Sequence, residues 1–356
     1  MNDFAGKILK WSASHGRNDL PWQQQPTAYR VWISEIMLQQ TQVATVIPYY
    51  LRFMESFPDA NALSGADIDD VLHSWSGLGY YARARNLHKA ATIIRDQFAG
   101  EFPSSFDDVV NLPGIGRSTA GAILALSRDE RQPILDGNVK RVLARYHAVA
   151  GWPGKTAVSR TLWEYAEQHT PAENVAAYTQ AMMDLGATIC TRTQPKCNDC
   201  PIEKNCEAHA LERETEFPGR RARKVKPLKN TQMILVLADE AVYLERRPPS
   251  GIWGGLWSFP ELEPQQDVSS WCREKLKAAP VELQQWPTVR HSFTHYDLDI
   301  MPIAVRLQCI SGTVADTDDQ MWYEFDSPQQ VGIAAPVTGL LEKLRTDELL
   351  TNVTDS

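Results

Sequence analysis

Four cysteines, Cys190, Cys197, Cys200 and Cys206, fall within 17 residues, with six, two and five residues between them. Asp3 stands directly behind the start, where a secretory leader would be basic, so the expected compartment is the cytoplasm, and disulfides are not expected there. Clustered thiols in a reducing compartment point to metal ligation. Two chemistries stay open. A [4Fe–4S] cube takes one thiolate per iron and tolerates uneven spacing. A zinc site usually pairs two short knuckles, whereas one Cys-x-x-Cys occurs here, and His209 could replace one sulfur. Unligated thiols are the third reading. Cys272 and Cys309 stand apart and are expected to be small buried apolar residues. A second constellation is Leu112-Pro113-Gly114-Ile115-Gly116-Arg117-Ser118-Thr119-Ala120-Gly121. Gly114 and Gly116 permit a tight hairpin, and Ser118 and Thr119 open a helix whose unpaired N–H groups can face a phosphate. A plain interhelical turn is the alternative. Asp136, twenty residues beyond Gly116, stands where a helix should start and is expected to cap it.

These residues need a scaffold, and length and composition limit its kind. A chain of 356 residues, 43% hydrophobic and 22% charged, is globular and divides into two or three domains, which excludes collagen-like, disordered and disulfide-scaffold classes. No apolar run approaches the roughly 18 residues that span a bilayer. The formal charge is −8, and residues 226–356, with 11 basic and 19 acidic side chains, carry all of the excess. Residues 218–229 read as a basic linker, with Arg220, Arg221, Arg223, Lys224, Lys226 and Lys229, no acid, and breaks at Pro218, Gly219 and Pro227. Such a run is a solvated face or a phosphate contact. Before the cysteines the texture is helical. Val31, Ile33, Ile36, Met37, Gln40 and Val43 form a stripe over 29–46, stopped by Pro48, and 71–75, 82–98 and 119–126 lack strand alternation. After Asn230, residues 233–238, 241–245 and 300–307 are short apolar runs rich in β-branched residues, as in strands. The expected organisation is an all-α domain over 1–217 that includes the cysteine loop 190–206, the linker 218–229, and a mixed α/β domain over 230–356.

The hairpin, the later aspartate and the four-cysteine loop together resemble the helix-hairpin-helix DNA glycosylases that carry an iron–sulfur cluster. Within that superfamily Val31-Trp32-Ile33-Ser34-Glu35-Ile36-Met37-Leu38-Gln39-Gln40-Thr41-Gln42 and Gly77-Leu78-Gly79-Tyr80-Tyr81-Ala82-Arg83-Ala84-Arg85-Asn86-Leu87 closely resemble the adenine DNA glycosylases, over about residues 5–345. The resemblance implies removal of adenine mispaired with 8-oxoguanine or guanine in duplex DNA and a [4Fe–4S] cluster on the four cysteines; a monomer is expected, though the residues themselves do not fix the oligomeric state. Breaking an N-glycosidic bond through an oxocarbenium-like state asks for a proton on the base and an anion by the sugar. Glu35 in its apolar stripe should hold a raised pKa and be the acid. Asp136 at a helix N-terminus should stay ionised and stabilise the cation. The related endonuclease III-like enzymes place a Schiff-base lysine two residues after the second hairpin glycine. Ser118 stands there, which implies base release without strand cleavage, and Lys140 is the nearest other amine.

A base within a duplex must be flipped out to reach the carboxylates. Gln39 and Tyr80, with Leu38 as a third candidate, are the implied wedges. Trp22 and Gln180 are the implied adenine pocket, and the hairpin with Asn138 and Lys140 belongs to the DNA contacts. Arg192, Lys196 and Lys204 give the cysteine loop positive charge. The C-terminal domain resembles a Nudix fold without its chemistry: Gly255 and Glu261 match the opening of the Nudix box, but the metal-binding part reads Ser269-Ser270-Trp271-Cys272-Arg273-Glu274. Its loop Arg290-His291-Ser292-Phe293-Thr294-His295 resembles the Phe-Ser-His motif that reads the lesion, with Thr294 at the serine position and His295 beside it. The alternatives are an endonuclease III-like enzyme for oxidised pyrimidines and a non-catalytic lesion sensor.

Overall fold

In the computed structural model, residues 3–221, 225–307 and 317–346 are described; Arg223, Lys224 and Cys309 lie outside them. The chain divides into two units, Met1–Gly65 with Asn86–Arg223, and Ala66–Arg85 with Lys224–Ser356. The helices ahead of the linker are α1 (Asp3–His15), α2 (Ala28–Leu38), α3 (Val43–Ser56), α4 (Ala60–Gly65), α5 (Ile68–Ser74), α6 (Ala82–Phe98), α7 (Phe106–Asn111), α8 (Arg117–Arg128), α9 (Gly137–Tyr146), α10 (Thr156–His169), α11 (Val175–Asp184) and α12 (Glu207–Ala210).

The first unit is built around a core of α1, α8, α9, α10 and α11, where Phe4, Ile8, Ala122, Val142, Leu143, Leu162, Tyr178 and Leu185 are buried. Short polar side chains set the helix starts. Thr27 Oγ1 accepts from Arg30 N ahead of α2, Ser105 Oγ from Asp108 N ahead of α7, and Asp136 from Val139 N ahead of α9. The apolar stripe over 29–46 is not one helix. It ends at Leu38, Gln40 takes a left-handed φ of 59°, and α3 starts at Val43 and runs through Pro48. Periodicity continues across the break because both helices bury apolar faces, and the left-handed turn between them leaves no mark in a stripe count.

The second unit is a mixed sheet of β1 (Leu228–Ala238), β2 (Ala241–Arg246), β3 (Trp257–Ser258), β4 (Glu261–Leu262), β5 (Pro280–Gln285), β6 (Val289–Ser292), β7 (Asp297–Leu307) and β8 (Gln320–Glu324), with α13 (Val268–Lys275) and α14 (Ala335–Thr346). The strand order is β3-β2-β1-β7-β5. β4 pairs with β1, β6 with β7 and β8 with β2, and β1 runs parallel to β7. Ile234, Val236, Tyr243, Val305 and Trp322 form its core with α13. Cys272 is buried there, as a small apolar residue would be. Neither the strand start at Leu228 nor the place of 66–85 follows the contiguous division expected from composition. Asp69 on α5 accepts from Arg246 at 2.5 Å and from Trp257 Nε1 at 3.4 Å, Tyr81 Oη donates to Ile333 O at 3.1 Å, and Arg85 donates to Gly254 O at 2.6 Å. Gly332 passes so near α5 that a Cβ there would sit 2.6 Å from Leu72 Cβ. Segment 66–85 thus belongs with the sheet through contacts more than 150 residues apart in sequence.

Candidate active site and cysteine loop

The hairpin forms as its residues dictate. Ile115 N donates to Leu112 O at 3.1 Å, closing the turn, and Gly114 has φ 82°. A Cβ at Gly114 would lie 2.9 Å from Asn86 Cβ, so both backbone and space require glycine. Gly116 has no side chain to cap α8, so the first N–H groups of that helix point outward at an exposed loop. Ser118 is turned inward: its Oγ accepts from Leu135 N at 2.9 Å. It braces the start of α8 against the segment that delivers Asp136.

Asp136 caps α9. Its Oδ1 accepts from Val139 N at 2.7 Å and its Oδ2 from Asn138 Nδ2 at 3.2 Å. Burial pushes its carboxyl above the usual aspartate range, against the pull of the Val139 and Asn138 N–H groups and of Arg141. A helix N-terminus alone therefore does not decide its charge, because desolvation outweighs it. Glu35 sits on the third turn of α2 among buried Trp32, Ile36 and Met37. Desolvation, and then the negative charge of Asp136, push its carboxyl up to about 8. The charge of Asp136 is thus felt at Glu35, and the two carboxyls titrate as an interacting pair rather than independently.

Asp136 is also tied to the cysteines. Asn138 Oδ1 accepts from Arg141 Nη2 at 2.9 Å, and the same guanidinium donates to Gly186 O at 2.5 Å and Cys190 O at 2.6 Å. One turn on, buried Arg145 donates to Cys190 Sγ at 3.2 Å, Thr191 O at 2.7 Å, Arg192 O at 3.1 Å, Glu214 O at 2.8 Å and Phe217 O at 3.0 Å. Sequence reasoning did not single out these arginines. Their signal is two guanidinium groups at i, i+4 on the helix that Asp136 opens.

All four cysteines line one cavity with Val142, Leu185, Ile189 and Ile202. Burial pushes Cys197 up to about 11 and Cys200 up to about 12, with the neighbouring thiols adding to both, so an ion binding there must displace protons. Four sulfurs around an apolar hollow, with a buried cation donating to one of them, fit a four-thiolate group. His209 is engaged elsewhere: its Nδ1 lies 2.5 Å from Glu214 Oε1 and its Nε2 3.2 Å from Glu203 Oε1. Ligand atoms of Cys197, His209 and Glu214 do come within 4.8 Å of one another, which is the arrangement a smaller mixed-ligand ion would use. Arg192, Lys196 and Lys204 are exposed around the loop.

Trp22 and Gln180 share a cavity of about 390 Å³ with Asn18, Val31 and Asp184. Glu35 and Asp136 are not among its lining residues; Val31, one turn before Glu35 on α2, is. Its wall is set by a pair that sequence reasoning missed, since its members are 167 residues apart. Buried Asp184 accepts from Arg17 Nε at 2.8 Å, Nη2 at 2.6 Å and N at 2.9 Å, and from Gln180 Nε2 at 2.9 Å. Gln180 thus keeps its carbonyl oxygen for another partner. Leu38 ends α2 and Gln39 caps it, both partly exposed at the turn, and Lys140 lies on the first turn of α9.

Tyr80 and Thr294 both belong to the second unit. Tyr80, at φ 50° and half exposed, brings its hydroxyl within 3.3 Å of Thr294 Oγ1. β6 and β7 pair from Val289 with Ile300 to Ser292 with Asp297, and Phe293 N donates to Tyr296 O at 2.9 Å, so Thr294 and His295 form the exposed tip of a hairpin. Trp253, His291, Phe293 and Tyr296 pack behind the tip, with ring centres 4.6–5.6 Å apart along the row.

Residues 33–168 match the model of the HhH-GPD superfamily of base excision DNA repair proteins, and residues 231–343 match that of the NUDIX domain. The chain is 40% identical to the adenine DNA glycosylase of Buchnera aphidicola subsp. Acyrthosiphon pisum, covering 96% of this chain and 97% of the relative. It is 32% identical to that of Homo sapiens, covering 86% and 67%. Among solved structures, a thermostable thymine-DNA glycosylase superposes with a TM-score of 0.54 at 26% identity, covering 58% of this chain and 95% of that one. A non-covalent endonuclease III–DNA complex, at 20% identity and a TM-score of 0.50, shares the helical fold. The helical and Nudix-like architecture expected above is the one these comparisons show.

The raised pKa of Glu35 has a consequence for stability. A carboxyl lifted from 4.5 to about 8 by folding binds more protons folded than unfolded between those values, so the contribution of Glu35 to stability is full below pH 4.5 and is lost as pH rises through about 8. Thermal unfolding of Glu35→Gln followed from pH 5 to 9 should lack that component of the decline. Parallel curves for the two proteins would show that folding does not perturb Glu35.

Proposed function

Because the chain belongs to the adenine DNA glycosylase family, we propose that it excises adenine from adenine:8-oxoguanine and adenine:guanine mispairs in duplex DNA, with Glu35 as acid and Asp136 as anion. The observation that carries this reading is the coupled pair: Glu35 retains a proton up to about pH 8 because it is desolvated and faces Asp136, which is held by Val139 and Asn138. The flipped adenine enters between Trp22 and Gln180, whose free carbonyl oxygen suits an exocyclic amine. Glu35 protonates N7 as the C1′–N9 bond breaks and its electrons pass to the base. The carboxylate of Asp136 stabilises the sugar cation, water adds to C1′, and the proton it loses returns Glu35 to its acid form.

Ser118 supports base release without strand cleavage. It cannot form an imine, and its hydroxyl is tied to Leu135 N. Gln39 and Leu38 at the turn after α2, and Tyr80, are the wedges that fill the vacated stack. The exposed hairpin N-terminus of α8 and the first turn of α9, with Asn138 and Lys140, meet the phosphates. Thr294 and His295 at the tip of the β6–β7 hairpin meet 8-oxoguanine. Cys190, Cys197, Cys200 and Cys206 would hold a [4Fe–4S] cluster, which when bound would order the basic loop; Arg145 and Arg141 fasten that loop to α9.

Under single turnover, Glu35→Gln and Asp136→Asn should each lower adenine release by on the order of a hundred- to ten-thousandfold while still binding mispaired duplex. The wild-type rate should fall above about pH 8, where Glu35 loses its proton. Near-normal release by either variant removes that carboxylate from the mechanism. Anaerobically purified protein should be brown, with about four irons per chain. One zinc per chain and no visible absorbance would favour the mixed site of Cys197, His209 and Glu214 instead.

A further inference from the structure

Resting on the reading that the 293–296 hairpin tip meets 8-oxoguanine, we infer that Lys226 is a positioning residue for lesion discrimination: its ammonium holds the peptide that presents Thr294. Lys226 Nζ donates to Phe293 O at 2.7 Å and lies 3.9 Å from Asp297 Oδ1. The backbone beside it closes the same corner. Asp297 N donates to Pro227 O at 3.0 Å, and β1 then runs parallel to β7 from Leu228 opposite Asp297. Lys229 Nζ stands 4.9 Å from the centre of the Tyr296 ring. Two members of the basic run 218–229 therefore grip the hairpin tip, although their charge alone suggests phosphate contacts.

The grip acts through peptide planarity. The Phe293 carbonyl and the Thr294 N–H belong to one planar unit and point in opposite directions, so fixing the oxygen also aims the Thr294 N–H and sets the Cα that carries its hydroxyl. Phe293 N is already held by Tyr296 O, which leaves the 293–294 peptide as the one Lys226 adds to the restraint. Guanine and 8-oxoguanine differ by a hydrogen at N7 and an oxygen at C8. Telling them apart needs donors and acceptors held in place, whereas a tip whose peptide rotates would accept both bases alike.

The test compares wild type, Lys226→Met and Lys226→Arg, binding duplexes that carry a non-cleavable adenine analogue opposite 8-oxoguanine or guanine, at several salt concentrations. Hydrogen exchange of residues 289–297 is followed in the free proteins. Lys226→Met should lower the 8-oxoguanine preference by about three- to tenfold, the range for losing one charge-assisted hydrogen bond at a partly exposed site. Exchange at the tip should quicken, and arginine, which can reach the same carbonyl, should restore both. Equal weakening on the two duplexes with a shallower salt dependence would make Lys226 a phosphate contact and overturn the inference. An unchanged preference and unchanged exchange would overturn it too. If Thr294→Ala erases the preference while Lys226→Met does not, Lys226 alone is wrong. If wild type shows no preference, the reading of the hairpin tip fails and the inference with it.

Discussion

Two interacting carboxyls drawn away from bulk water, Glu35 and Asp136, set the constraint on which the site in the first unit depends. Desolvation raises both Glu35 and Asp136, and without a directed source of compensation neither identity would be fixed. The compensation is one-sided. Asp136 accepts from a helix N-terminus and from Asn138, and feels Arg141, whereas Glu35 sits on the third turn of α2 among apolar side chains. The surroundings therefore favour the charged form at Asp136 more than at Glu35.

Much of the remaining architecture keeps that arrangement in register. Ser118 joins the start of α8 to the segment before Asp136, so the exposed hairpin and Asp136 are fastened to one another. Along α9, Arg141 bridges Asn138 to the Cys190 carbonyl, and Arg145 adds bonds to Cys190 Sγ and Thr191 O. The cysteine loop, distant from Glu35 in the chain, is thereby linked to the carboxylate by side chains of a single helix. The second unit shows the same economy, with Tyr80 and Thr294, from segments 214 residues apart, within hydrogen-bond reach.

What could be read from residues alone follows from how local each feature is. The cap at Asp136, the glycine-dependent turn at Gly114, helix α6 over 82–98 and the strands around 233–238 and 241–245 rest on neighbours in sequence, and the folded chain has them. The gathering of the four cysteines into one cavity follows from their close spacing in sequence. Other features depend on distant partners. The left-handed break at Gln40 interrupts a stripe that periodicity counts as continuous. The allegiance of 66–85 to the sheet rests on Asp69 meeting Arg246, and the wall beside Gln180 on Asp184 meeting Arg17. Lys226 carries the same lesson: a charge run announces its sign, but a carbonyl 67 residues away decides what one of its members does.

The link through α9 is open to one direct measurement, the single-turnover rate of adenine release by Arg141→Met with metal content determined on the same sample. Removing the guanidinium leaves the Asp136 cap and its carboxylate in place but releases Asn138 and the carbonyls of Gly186 and Cys190. The account predicts release at least about tenfold slower from protein that retains its metal. A metal-replete variant that releases adenine at the wild-type rate would contradict it.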